Sequence, residues 1–161
     1  GEPCKRDTAP CIGLAALLVA RRDPDATMAV MPSDHVIRPV ADFQRAILEA
    51  AAMFERHPGR LVTFGVRPTY PAESFGYIQQ GDRLPTGPGE AAAHAVARFR
   101  EKPPASVAAE YLAAGTYLWN AGIFVWKAAT IIAALEAREP DTMARLGRIA
   151  AAWDGPDRER V

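Results

Sequence analysis

The chain has 161 residues, 49% of them hydrophobic, and its 19 basic and 19 acidic side chains leave no formal net charge. That length suits one domain or a piece of a larger one, and the charge balance gives no global field for nucleic acid or an anionic membrane. No apolar run approaches bilayer-spanning length, no signal-peptide pattern opens the chain, and Cys4 and Cys11 lack metal-type spacing, so they read as free thiols in a reducing compartment.

Gly1 to Pro10 is polar and turn-like. Ile12, Leu14, Ala15, Leu17, Leu18 and Val19 then cover most of a helix surface, so this helix is expected to be largely buried. Thr8 is a candidate N-cap, and Pro10 suits a first turn. A buried opening helix with no strand before it is unusual in an α/β unit. It hints that the domain begins earlier and that its first strand is lacking here.

Thr27 to Met31 reads as a buried strand of a parallel sheet, and Pro32-Ser33-Asp34-His35 follows at once. Ligands bind beyond the carboxyl ends of strands in open α/β sheets. Asp34 therefore stands where a ligand or metal would be met; the alternative is an Asp that caps a turn. Residues 39–57 form the clearest helix, with Phe43, Ile47, Ala50, Ala51 and Phe54 on one face and a stop at His57-Pro58-Gly59. Arg60 to Val66 is a second buried strand, and strand–helix–strand implies a right-handed parallel crossover.

Phe75-Gly76-Tyr77-Ile78 is a short strand before a glycine- and proline-rich loop, Gly81 to Gly89. Ala95 to Arg100 returns as a strand and runs into Glu101-Lys102-Pro103. Residues 105–114 read as a helix with Gly115 as its C-cap. Tyr117 to Lys127 is aromatic and apolar around an Asn-Ala-Gly break. A helix over about 128–138 follows, then a last helix from Asp141 carrying Met143, Leu146 and Trp153. The charged tail, Asp154 to Val161, is expected to fray. The predicted fold class is α/β, a mainly parallel sheet with helices on both faces.

Four short motifs stand at loops after predicted strands: Pro32-Ser33-Asp34-His35, Phe75-Gly76-Tyr77-Ile78, Phe99-Arg100-Glu101-Lys102-Pro103 and Trp119-Asn120-Ala121-Gly122-Ile123-Phe124. With Glu2-Pro3 and Asp7-Thr8-Ala9-Pro10 at the start, their order and spacing resemble the mannose-1-phosphate guanylyltransferase family over nearly all of the chain. The resemblance implies a Rossmann-like, GT-A-like sugar-nucleotidyltransferase domain of a cytoplasmic enzyme. In that family the oxygen of mannose-1-phosphate attacks the α-phosphorus of GTP, pyrophosphate leaves and GDP-mannose forms, with Mg2+ required. Such a displacement needs in-line positioning and charge neutralisation rather than covalent help.

By this resemblance Asp34 is a catalytic metal ligand and Lys102 a catalytic residue facing phosphate. Gly76, Tyr77, Glu101, Asn120 and Gly122 form the sugar side. Gly76 would let a sugar ring approach the backbone, or is an ordinary strand-end glycine. Tyr77 contacts the sugar or packs in the core. Glu101 accepts from sugar hydroxyls, or forms a solvated pair with Lys102. Adjacent strand residues point to opposite faces, so both reach one cleft only if the strand ends there, as Pro103 suggests. Asn120 suits a sugar hydroxyl, or is a turn residue beside Gly122. His35 reads as orienting its loop.

Glu2, Pro3, Asp7 and Thr8 resemble the nucleotide-binding segment. A carboxylate such as Glu2 accepts from guanine N1–H and N2–H. The family usually has Asn where this chain has Asp7, which is equally readable as a helix cap. The family's Gly-x-Gly-x-x-x-Arg-Leu loop, which cradles the triphosphate, is absent, and its second metal-binding Asp falls beyond Val161. Residues 1–161 thus read as a partial nucleotidyltransferase domain, expected to be inactive alone. The alternatives are a transferase for another sugar-1-phosphate, or a non-catalytic sugar-nucleotide-binding or regulatory subunit. GTP and mannose-1-phosphate are the expected partners; association into a homo-oligomer is left open.

Overall fold

The computed structural model describes residues 8–87 and 91–156. Its elements are α1 (Thr8–Ala20), β1 (Thr27–Val30), α2 (Val40–Arg56), β2 (Val62–Val66), β3 (Gly76–Arg83), β4 (His94–Glu101), α3 (Ala105–Ala114), β5 (Tyr117–Lys127), α4 (Ala128–Arg138) and α5 (Pro140–Ala152). The strands hydrogen-bond in the order β1-β5-β3-β4, and β2 also pairs with β5. The α/β class is as expected. Contacts gather the chain into two units, the first holding residues up to Val30, Ala50–Val62 and those from Val125 on, the second Met31–Glu49 and Thr63–Phe124.

In the first unit α1 packs on α4 and α5. Small residues make the approach close. A methyl placed on Gly13 would stand 2.9 Å from Leu146 Cδ1 and 3.1 Å from Met143 Sδ. Met143, Leu146 and Ala150 recur at helical spacing on α5, and all three are buried. The end of α5 has no basic residue of its own. Arg21 supplies one, donating to the Ala150 carbonyl and pairing with Asp154, where a cation suits the helix dipole. Burial of α1 is less than the sequence implies: Gly13 and Ala16 are buried, while the larger apolar residues around them are half-buried.

The second unit is built on β3, which pairs antiparallel with both β4 and β5. Tyr77, Ala108 and Tyr117 form a buried cluster in it, with Tyr111 and Trp119 packed against them. Ala108 and Tyr111 are three apart on α3 and share a face. α3 has the predicted limits, and Gly115 ends it in the left-handed conformation.

Four expectations are corrected. The sheet is not parallel at β3–β4 and β3–β5. β3 does not stop at Ile78 but runs on through Arg83, with register shifts at Gln79/Gln80 and Gln80/Arg83. β3 and β4 are consecutive strands, and a short connection between neighbours imposes the antiparallel direction. Next, β1 and β2 are half-exposed rather than buried. β1 ends the strand order, so one of its sides is unpaired by the others. Finally, α2 buries Ala50 and Phe54, at 5% and 2% exposure, but Phe43 and Ile47 are only half-buried.

Candidate functional site

The predicted catalytic, metal and sugar-side residues all fall in the second unit. The pairing of β3 with β4 sets Gly76 opposite Glu101. A methyl on Gly76 would meet Glu101 Oε2 at 2.9 Å, so the carboxylate occupies the space that a side chain at Gly76 would take. The glycine lets the backbone and this carboxylate come together. On the other side of β3, Tyr77 pairs with Trp119, which brings β5 alongside.

β4 ends at Glu101, as Pro103 suggests. Lys102 then adopts φ +41°, a region that non-glycine residues occupy only when their surroundings impose it. Its N–H donates to the Phe75 carbonyl at 3.2 Å. The positive φ breaks the strand alternation that would send Glu101 and Lys102 to opposite faces. Both side chains are exposed.

Asn120 is half-buried within β5. Its Oδ1 accepts from the Gly122 N–H at 3.3 Å, an Asx-type bond, and stands 2.9 Å from Thr63 Oγ1. The Thr63 hydroxyl also lies 3.1 Å from the Ile123 carbonyl, and its single proton serves one of these acceptors at a time. Gly122 has φ +67°, and a methyl there would lie 3.5 Å from Pro32 Cγ. The Asn120–Gly122 stretch of β5, which continues without the expected break, thus abuts the loop that carries Asp34. Asp34 sits in the Ser33–Asp34 turn, exposed like its neighbour His35.

The sequence places these residues at carboxyl ends of strands. The structure differs: Gly76 opens β3 and Asn120 lies inside β5, while Glu101 closes β4. Antiparallel pairing is the reason, since it brings the start of one strand to the end of the next.

Of the two readings for Tyr77, the structure takes the core. The residue is 0% exposed, and its hydroxyl donates to the Ala72 carbonyl at 2.9 Å. Tyr77→Phe removes that bond and leaves a carbonyl unsatisfied, so a stability loss of about 1–2 kcal/mol is expected in denaturant unfolding. An unchanged midpoint would show that the bond contributes nothing. Thr8 is the exposed first residue of α1, while Glu2, Pro3 and Asp7 lie outside the described residues.

Two partners escape the sequence reading. Thr63 carries a signal, being the one hydroxyl in the apolar run Leu61 to Val66. Glu73, which accepts from the Ala105 N–H at 2.9 Å, carries none. Trp119 also meets the rings of Tyr70 and Phe75 edge-on, at centroid distances of 4.9 and 5.1 Å.

No group of three or more potential metal ligands occurs among the described residues. A carboxylate is nonetheless the right donor for magnesium, which is commonly held by one or two carboxylates together with substrate phosphates. An exposed Asp34 in a loop fits a cation that arrives with a nucleotide.

The fold is an α/β domain that gathers these motifs in its second unit. The nucleotidyl transferase family model matches residues 1–152, and the chain belongs to that family. It is 44% identical over 158 residues to the xanthan biosynthesis protein XanB of Xanthomonas campestris pv. campestris, covering 98% of this chain and 31% of that protein. It is 39% identical over 158 residues to the mannose-1-phosphate guanylyltransferase of Escherichia coli K12, covering 97% and 32%. The chain therefore spans about a third of the length of these relatives. Among solved structures, a mannose-6-phosphate isomerase from Helicobacter pylori matches with TM-score 0.77 and 31% identity, over 93% of this chain and 53% of that one. A Thermus thermophilus protein described as mannose-1-phosphate geranyltransferase matches with TM-score 0.75 and 32% identity, over 98% and 44%.

Proposed function

We propose that this chain is part of a cytoplasmic mannose-1-phosphate guanylyltransferase, which joins mannose-1-phosphate to GTP and releases GDP-mannose and pyrophosphate. The observation that carries the reading is the Gly76–Glu101–Lys102 arrangement. A carboxylate is folded over a glycine, and a lysine beside it is held in an uncommon backbone conformation. A carboxylate next to an ammonium suits a sugar phosphate, which presents hydroxyl donors at one end and a dianion at the other.

Glu101 accepts from sugar hydroxyls over Gly76. Lys102 neutralises the sugar phosphate and steers its oxygen towards the α-phosphorus. Asn120 has its Oδ1 engaged by Gly122, so it offers the sugar its amide N–H donors. Asp34 is the residue that would hold magnesium; bound there, the cation would offset charge on the nucleotide phosphates. Positioning and charge neutralisation suffice for this class of displacement. Glu2, Pro3, Asp7 and Thr8 are the proposed contacts of the guanine nucleotide.

The test is pyrophosphate release by the full-length protein carrying this sequence, with GTP, magnesium and either mannose-1-phosphate or glucose-1-phosphate. Mannose-1-phosphate is expected to be preferred by about tenfold or more in kcat/KM, the scale of a few well-placed polar contacts. A preference for glucose-1-phosphate would reassign the sugar. No release with either would overturn the enzymatic reading.

A further inference from the structure

We propose that Glu73 is a positioning residue for Lys102, a role that rests on the transferase reading above. The segment from Lys102 to Ala105 has the sequence Lys-Pro-Pro-Ala. Prolines carry no backbone N–H. Only Lys102 and Ala105 can therefore tie this segment down through backbone donors, and both are tied to one loop. The Lys102 N–H donates to the Phe75 carbonyl at 3.2 Å. The Ala105 N–H donates to Glu73 Oε1 at 2.9 Å.

The second bond is a helix cap delivered from elsewhere in the chain. α3 starts at Ala105 with first-turn amides that lack intrahelical acceptors. Its N-cap residue, Pro104, has no side chain that caps, and the first turn holds no acid. Glu73, 32 residues earlier in sequence, supplies both the missing acceptor and a negative charge at the positive end of the helix. Residues 73–75 thus grip the strained turn at both of its ends. The φ of +41° at Lys102 is a conformation that persists only when its surroundings over-determine it. With the Glu73 end released, the Lys102 N–H bond to Phe75 is the one backbone-donor tie left to the segment 102–105, and on this proposal the ammonium is then less well placed for the sugar phosphate.

The experiment uses the full-length protein with Glu73→Ala and Glu73→Gln. Hydrogen-exchange mass spectrometry follows the peptide spanning residues 102–110, and kinetics follow the KM for each substrate. Glu73→Ala is expected to speed exchange in that peptide and to raise the KM for mannose-1-phosphate about fivefold, the ratio equivalent to one lost cap. The KM for GTP should stay unchanged. Glu73→Gln keeps the acceptor and is expected to restore both readouts. Exchange and KM unaltered in Glu73→Ala would overturn the proposal, and so would a lower melting temperature with an unaltered KM. Exchange is read without turnover. A parent protein silent towards both mannose-1-phosphate and glucose-1-phosphate, but with exchange that depends on Glu73, would therefore overturn the transferase reading and support the clasp.

Discussion

Gly76→Ala in the full-length protein, acting as proposed, is expected to lower kcat/KM for the sugar phosphate by about two decades while leaving the melting temperature close to its original value. The added methyl would meet Glu101 Oε2 at 2.9 Å, and the other Glu101 carboxyl atoms at 3.4 Å. These are the far atoms of a flexible, exposed side chain, so the clash is relieved by swinging the carboxylate into solvent. The fold scarcely feels that movement. If Glu101 binds sugar hydroxyls as proposed, catalysis does feel it, because misplacement by about an ångström commonly costs two decades in rate. Glu101→Ala should then add little to the loss in the Gly76→Ala background, since both act through one group. Full activity in Gly76→Ala would detach Glu101 from the site. A large fall in melting temperature would mean that the close approach serves packing instead.

The second large effect is expected from Asp34→Asn. The substitution keeps the side-chain shape and removes the charge. Asp34 is exposed in a turn, so stability should change little. Turnover should fall by about two to three decades, the scale of losing one preorganised group that stabilises charge developing in a transition state. The measurement is kcat across a magnesium titration. The variant should need more magnesium and reach a lower plateau. Superimposable titrations would remove Asp34 from metal binding.

The parts of the site that were legible in the sequence are those whose signals are local. Pro103 marks the end of β4 at Glu101 and Gly115 marks the end of α3, while the break expected at Asn120-Ala121-Gly122 is a local distortion, with Gly122 at φ +67°, inside the continuous strand β5. What escaped depends on partners far along the chain. Thr63 meets Asn120 from 57 residues away, and Glu73 meets Ala105 from 32 residues away; no periodicity encodes either. Strand direction was misjudged for a related reason. Gly81 in a run with Pro85 and Pro88 reads as a loop, yet register shifts let β3 absorb Gly81 and continue. The direction of β4 follows from that continuation. Tyr77 was readable both ways because an aromatic residue in a short strand suits a core and a sugar equally. Only tertiary packing, which leaves it 0% exposed, separates the two.

Tyr111 on α3 and Tyr117 on β5 lie almost parallel, 10° apart with centroids at 3.9 Å. Two phenol chromophores locked at that spacing in a chiral setting contribute to near-ultraviolet circular dichroism, a signal that vanishes when fixed side-chain packing melts even if helices persist. The pair joins the helix capped by Glu73 to the strand carrying Asn120. The second unit therefore contains its own optical gauge. Loosening of the helix that follows the Lys102 turn can be watched spectroscopically, with no label attached and no substrate present.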